Sequence, residues 1–195
     1  MDVKNHDSRK RPVLGFILFG LIFLIISYGA WAAQAFKTQW TLINYLINND
    51  LQQMDRSIVF TPSEKFLKQY FFTPDPAQNA LAPGLATKTD GLLYRVCSIL
   101  PGCPKNQPFL KIFLLRDCQQ VNQRLLVFSP FQDNPASACF GFFAAQANAV
   151  FVSLEDLSAG VLAHEMTHFL LSQFNPVPDH DYQEKWAQYM ETQID

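Results

Sequence analysis

The stretch LAHEMTHFLL, from Leu162 to Leu171, decides how the rest of the chain is interpreted. On a helix, His164 and His168 lie one turn apart on the same face. Two imidazoles at that spacing can reach one tetrahedral metal ion, and Glu165 between them can take a proton from a water at the open position. A buried helix normally carries Leu or Ala at such positions, because buried histidine and glutamate need partners that offset the loss of water. The stretch therefore predicts a metal site.

A third protein ligand is needed, because two histidines leave a zinc ion one ligand short. Three downstream residues can supply it: His180, Glu184 and Glu191. The prolines of the sequence NPVP, residues 175–178, end the first helix. A final helix over Asp179–Asp195 can then run back beside the first and present a carboxylate.

The string QEKWAQY, Gln183–Tyr189, makes the resemblance to a family specific. It is similar to the E-G-x-A-x-Y segment that carries the third ligand in many gluzincins, the zinc metallopeptidases that hold zinc with two His and one Glu. Together with the HExxH motif it resembles their catalytic core. The resemblance implies that His164, His168 and Glu184 bind Zn²⁺ and that Glu165 is the general base. It also implies an α+β, zincin-like domain with a short β-sheet, an HExxH helix and a glutamate helix.

Two residues depart from that pattern. Lys185 stands where the family prefers glycine, and Gln188 stands one turn after Glu184, where a supporting carboxylate is common. An amide at Gln188 can still accept an imidazole N–H, although it raises the basicity of the ligand less than a carboxylate does. Glu191, seven residues after Glu184, can serve instead.

The developing oxyanion of a hydrolysis needs a hydrogen-bond donor besides the metal. Tyr182, His180 and Tyr189 are within reach along the chain. We expect Tyr182 or His180 to have this role, since Tyr189 suits an aromatic position in the core.

The N-terminal region predicts a membrane anchor. No charged residue occurs from Pro12 to Phe36, and Lys4–Arg11 is a basic flank. A run of this length can cross the hydrocarbon core as a transmembrane helix, with the basic N-terminus in the cytoplasm and the rest of the chain outside, periplasmic or extracellular. A signal peptide cleaved after Ala32 or Ala35 is the alternative, and it exports the same C-terminal part.

Four cysteines lie in the part of the chain that we expect to be exported. An even number outside the cytosol predicts two disulfides, with three possible connectivities. The first choice is Cys97–Cys103 across the Pro101-Gly102 turn, together with Cys118–Cys139. The formal net charge is −2, and the only dense cationic run is the membrane flank. The composition therefore excludes a basic surface for nucleic acid.

Four regions are predicted from these patterns. They are a basic tail at 1–12, a transmembrane anchor at 13–36, a helical juxtamembrane region with a linker at 37–90, and a metallopeptidase domain at 91–195. Within them we expect helices at 38–49, 63–72 and 154–173, the last capped by Ser153. Strands are predicted at 109–115 and 125–128, and a β-hairpin is predicted from 140–144 and 149–153.

Zinc-dependent hydrolysis of a peptide or protein substrate outside the cytoplasm is the function that these predictions favour. Either hairpin strand could pair with an extended substrate. Three alternatives stay open: a catalytically silent zinc-stabilised module that binds peptides, a zinc hydrolase that acts on a non-peptide amide, and an anchored interaction domain without metal.

Overall fold

A mixed β-sheet forms the centre of the chain in a computed structural model that describes residues 34–104, 109–128 and 139–194. Within these ranges the strands are β1 (Gln34–Lys37), β2 (Thr41–Tyr45), β3 (Leu110–Leu115), β4 (Gly141–Ala144) and β5 (Ala149–Ser153). They form one sheet in the order β1-β2-β3-β5-β4. The strands β2, β3 and β5 are parallel, and β1 and β4 pair antiparallel at the two edges. The predicted α+β class is confirmed.

Helices cover both faces of the sheet. Among the described residues the helices are α1 (Asn48–Ser57), α2 (Glu64–Leu67), α3 (Pro76–Leu81), α4 (Leu85–Ile99), α5 (Cys118–Phe128), α6 (Ala159–Leu171) and α7 (His180–Ile194). Helix α6 packs against β4, β5, α4 and α7, and α5 packs against β4 and β5. A short 3₁₀ turn, Ala145–Ala147, joins β4 to β5.

Side chains that alternate along β5 show that α5 and α6 lie on opposite faces. Val150 and Val152 belong to the main core with the buried residues of α6. Phe151, between them, stacks on Phe142 of β4 and lies 5.3 Å from Phe128 of α5, measured between ring centroids. The edge strand β4 is therefore positioned between α5 on one side and α6 on the other.

The predicted architecture, a transmembrane helix followed by a small zincin-like domain, is wrong. Within the described ranges, no helix is long and apolar enough to cross a membrane. Residues 34–36, the end of the predicted span, belong to β1, where Phe36 is buried opposite Ile43. The sheet is also larger than predicted, since β1 comes mainly from the end of the predicted span and β2 comes from the predicted juxtamembrane helix. The basic tail, the rest of the span and most of the signal-peptide alternative lie outside the described residues.

The predicted helix at 38–49 is also wrong, because residues 41–45 form β2. Thr41, Ile43 and Tyr45 are buried and the residues between them are not, which is the two-residue period of a strand. The chain differs from the predicted division at residue 90 as well. Asp90 is buried inside α4, and the described residues on both sides of it belong to one compact unit.

Predictions nearer the C-terminus agree better with the structure. The strand at 109–115, the hairpin and the final helix are confirmed as β3, β4–β5 and α7. The helix expected at 63–72 is confirmed only as the short α2, capped by Ser63. Residues 125–128 are not a strand but the end of α5, since Val121 and Leu125 bury one helical face. The HExxH helix begins at Ala159, because Ser158 and not Ser153 caps it.

Both disulfides form as expected. Cys97 pairs with Cys103 at the end of α4, and Cys118, the first residue of α5, pairs with Cys139 just before β4. The prediction of two disulfides is confirmed, and the second of them attaches the sheet edge to α5.

Candidate metal centre

Helix α6 presents its two histidines at the edge of an otherwise buried helix. The hydroxyl of Ser158 accepts a hydrogen bond from the backbone N–H of Val161 and fixes where the helix begins. Most of the remaining α6 side chains are buried. The side chains of His164 and His168 keep 20% and 12% of their surface exposed, so both rings reach a cleft rather than the core.

Helix α7 brings Glu184 to the two rings. The Nε2 atoms of His164 and His168 are 3.3 Å apart, and Glu184 Oε1 lies 3.2 Å from His168 Nε2. The other oxygen, Oε2, lies 3.8 Å from His164 Nε2. Two ligands of a tetrahedral zinc with bonds of about 2.0–2.1 Å are separated by about 3.3 Å. One donor atom from each residue lies within 4.8 Å of the others, so the three side chains can hold a metal ion and fit zinc.

The second nitrogen of each ring also has a partner. His164 Nδ1 lies 3.1 Å from Glu191 Oε2. His168 Nδ1 lies 3.5 Å from the side-chain oxygen of Gln183, whose amide donates to the carbonyl of Pro178 at 2.8 Å. Such partners fix the orientation and tautomer of a ligand imidazole. Both histidines are therefore oriented with Nε2 toward Glu184.

These contacts sharpen the assignments made from the sequence. Glu191 lies beside a histidine and not among the three converging donors, whereas Gln188 is exposed and lines no part of the cleft. Sequence reasoning missed Gln183, because a single glutamine before the glutamate gives no signal of its own.

Burial lowers the pKa of His168, and the neighbouring charge of His164 acts in the same direction. The carboxylate of Glu184 opposes this shift. The result favours a neutral imidazole, which is the form that binds a metal.

Glu165 is the buried acid of the site, with 6% of its surface exposed. Its carboxylate accepts a hydrogen bond from the backbone N–H of Phe143 in β4. Burial, followed by the negative charges of Glu184 and Glu191, raises the pKa of Glu165 to about 8. This carboxyl can therefore hold or release a proton near neutral pH.

The residues predicted to stabilise an oxyanion lie in different places. His180 lines the cleft, with Nδ1 3.7 Å from Glu184 Oε1 and a side chain that is 80% exposed. Tyr182 is not brought to the cleft, and its ring lies 6.3 Å from that of Trp186. The ring of Tyr189 lies 5.7 Å from that of Trp186, and both residues line a second, smaller cavity together with Lys185.

A cleft of about 570 Å³ runs from the histidines along β4. Ser153 N–H donates to Phe140 C=O across the hairpin, and the pairing register then directs the backbone groups of Phe142 and Ala144 toward β5 as well. The backbone groups of Gly141 and Phe143 point the other way, as the bond from Phe143 to Glu165 shows. Among the described residues, no strand pairs with this outer edge of β4, which borders the site.

The two walls of the cleft differ chemically. One carries the histidines and the three glutamates of α6 and α7, and the other carries apolar side chains of α5 and β4. Among the described residues, no lysine or arginine lines the cleft. The apolar wall consists mainly of Leu125, Phe128, Phe140 and Phe142.

Comparisons with protein-family models, with curated proteins and with solved structures found no match. The chemistry of the site is therefore argued from its own geometry.

Proposed function

We propose that this chain is a zinc-dependent peptidase with a gluzincin-like ligand set. One observation carries the proposal: His164, His168 and Glu184 converge on one point, and the buried carboxyl of Glu165 lies on the same helix between the two histidines. A buried acid with a raised pKa next to a metal-binding cluster in a cleft is typical of a catalytic centre.

A zinc ion held by these residues would lower the pKa of a water to about 7 and polarise a carbonyl group. Glu165 takes a proton from the attacking water and passes it to the departing amine. In the metal-free chain the pKa of Glu165 is raised to about 8; a bound Zn²⁺ would lower this pKa and favour the carboxylate form that accepts the proton. Glu191 and Gln183 keep the two imidazoles oriented.

The exposed edge of β4 is the binding surface that we propose for an extended peptide. The outward backbone groups of Gly141 and the carbonyl of Phe143 can form a ladder with a substrate strand. Side chains of such a strand point alternately to the two walls of the cleft. His180, at the exposed rim, is the donor that we propose for the oxyanion.

The cellular compartment is part of the proposal. Two disulfides within the described residues favour an oxidising compartment, outside the cytoplasm.

The test is metal analysis of the purified chain together with a peptide-library cleavage assay. We expect about one zinc per chain and metal-dependent cleavage. Glu165→Gln keeps the three ligands, so zinc binding should remain while hydrolysis falls by orders of magnitude. Glu155→Gln, an exposed glutamate outside the cleft, is the matched control and should leave both unchanged. A wild-type chain that binds no zinc would contradict the proposal.

A silent peptide-binding module is the second candidate. It is favoured by the outer edge of β4, which no other described strand pairs with and which can bind a strand without any catalysis. If the wild-type chain holds zinc, cleaves no library member and binds the same peptides as Glu165→Gln, this second function is the correct one.

A further inference from the structure

Strand β4 meets the catalytic-site glutamate at two points. The backbone N–H of Phe143 donates to the carboxylate of Glu165. Two residues earlier, a Cβ added to Gly141 would lie 3.4 Å from Glu165 Cγ. The strand edge is therefore in direct contact with the side chain that we propose as the base.

Gly141 is what allows this close approach. The same Cβ would lie 2.8 Å from the carbonyl oxygen of Phe151 and 3.0 Å from Val152 Cγ1. A backbone carbonyl in a paired strand cannot rotate away as a flexible side chain can. Any larger residue at Gly141 would therefore push β4 away from β5 and change its distance to Glu165.

The disulfide Cys118–Cys139 holds the beginning of the same strand. Cys139 comes two residues before Gly141, and Cys118 is the first residue of α5. Helix α5 packs on both β4 and β5. The covalent bond therefore ties the start of the edge strand to a helix that lies on the face of the sheet opposite Glu165.

We propose that Gly141 and the Cys118–Cys139 disulfide are positioning residues for Glu165. They hold β4 so that the N–H of Phe143 stays at the carboxylate. The proposal rests on the peptidase function above in one respect, namely that Glu165 acts as the base. A displacement of about 1 Å at a reacting group can lower a rate about 100-fold.

The zinc ligands do not depend on this anchor. His164, His168 and Glu184 are carried by α6 and α7, and neither cysteine of the disulfide belongs to these helices. Loss of the disulfide should therefore lower the rate of hydrolysis without removing zinc. The other disulfide, Cys97–Cys103 at the end of α4, provides a matched control of the same chemistry.

The experiment compares two double variants of the full chain, Cys118→Ser/Cys139→Ser and Cys97→Ser/Cys103→Ser. Four quantities are measured for each: zinc per chain, kcat, KM, and the hydrogen-exchange rate of the Phe143 amide. For the first variant we expect full zinc, a kcat lowered by about 10–100-fold and faster exchange at Phe143. For the second we expect kcat and Phe143 exchange to change by less than about twofold. Equal kcat and equal Phe143 exchange in the two variants would overturn the proposal.

A third variant keeps the proposal testable if the first does not fold. Gly141→Ala retains both disulfides and should raise Phe143 exchange and lower kcat while zinc stays bound. Unchanged kcat and exchange in this variant would refute the positioning role. If the wild-type chain binds zinc but cleaves nothing, the peptidase function fails by itself. The exchange of Phe143 in the three variants still decides whether the anchor positions Glu165.

Discussion

Two carboxyl groups, Asp90 and Glu165, are both buried, and burial raises the pKa of both. Their surroundings differ. Asp90 in α4 has no exposed surface, and its oxygens accept hydrogen bonds from four donors. Burial raises its pKa, but those hydrogen bonds act in the opposite direction. The donors are Thr38 Oγ1 at 2.6 Å, the Tyr70 hydroxyl at 2.8 Å, and the backbone N–H groups of Gln39 at 2.9 Å and Trp40 at 3.3 Å.

Glu165 is surrounded by charges of its own sign instead. It receives the N–H of Phe143, but the carboxylates of Glu184 and Glu191 add to the effect of burial and raise its pKa further. A fully hydrogen-bonded carboxyl such as Asp90 fixes the turn between β1 and β2 against α4. A carboxyl beside like charges in a cleft, such as Glu165, has the surroundings expected of the proton-transfer role that we propose. The comparison supports a structural role for Asp90 and a different role for Glu165.

The largest expected effect is the loss of zinc from the cluster formed by His164, His168 and Glu184. His168→Ala and Glu184→Ala each remove a converging donor, so bound zinc and the thermal stability that it supplies should fall together. Gln188→Ala, an exposed position on the same helix, should change neither. Zinc content and the melting temperature with and without a chelator measure this. Full zinc binding by Glu184→Ala would show that the third ligand is another residue.

The next effect is a difference in the free energy of unfolding between variants of Asp90 and Glu165, measured in the metal-free chain. Asp90→Ala leaves two hydroxyls and two backbone N–H groups without their acceptor, and we expect it to cost about 3–5 kcal/mol in urea unfolding. Glu165→Ala removes a desolvated group that two neighbouring carboxylates disfavour, so it should cost less than Asp90→Ala. An equal loss from both substitutions would mean that Glu165 is as structural as Asp90.

The pH dependence of the metal-free chain should follow Glu165. Its pKa is raised to about 8 in the folded chain from an ordinary value of 4.5, so the folded state keeps a proton that the unfolded state releases. This contribution to stability is complete below pH 4.5 and is lost as the pH rises through about 8. The wild-type chain should lose up to about 1.4 kcal/mol per pH unit in this window relative to Glu165→Gln. Parallel stability curves for the two chains would contradict the raised pKa.

The site residues that act through their side chains could be predicted from the sequence. The contacts that the backbone makes could not, because they depend on the strand order. His164 and His168 were predicted because helical spacing places their side chains together. Glu184, on the next helix, was predicted from the resemblance of its segment to the gluzincins. The contact of Phe143 with Glu165 is made by a backbone N–H. This N–H points away from β5 and can reach Glu165 because β4 lies at the edge of the sheet, and that position follows only from the strand order. No residue pattern contains that information.

The same distinction explains the errors in the N-terminal half of the domain. The buried residues of β2 are flanked by Trp40, Leu46 and Ile47, and these apolar neighbours produced the helical spacing that the sequence suggested. Pairing with β1 and β3 decides the strand instead. The sequence placed Asp90 at the end of a linker. The side chains that donate hydrogen bonds to it, Tyr70 and Thr38, are about 20 and 50 residues away, so no local pattern shows that it is buried.

The smallest expected effect concerns Glu191. Its substitution tests whether this carboxylate only orients His164 or is itself a zinc ligand. Glu191 Oε2 is 3.1 Å from His164 Nδ1, so the carboxylate orients the ring from the side opposite Nε2. Glu191→Ala should weaken zinc binding or activity by about 10–100-fold, which competition with a chelator can measure. Glu191→Gln keeps an acceptor oxygen at that distance and loses only the charge, so it should lie between the wild-type chain and Glu191→Ala. If Glu191→Ala abolishes zinc binding while Glu184→Ala retains it, the two glutamates have exchanged roles. In that case, the 3.2 Å approach of Glu184 to His168 is a hydrogen-bond contact and not a ligand position.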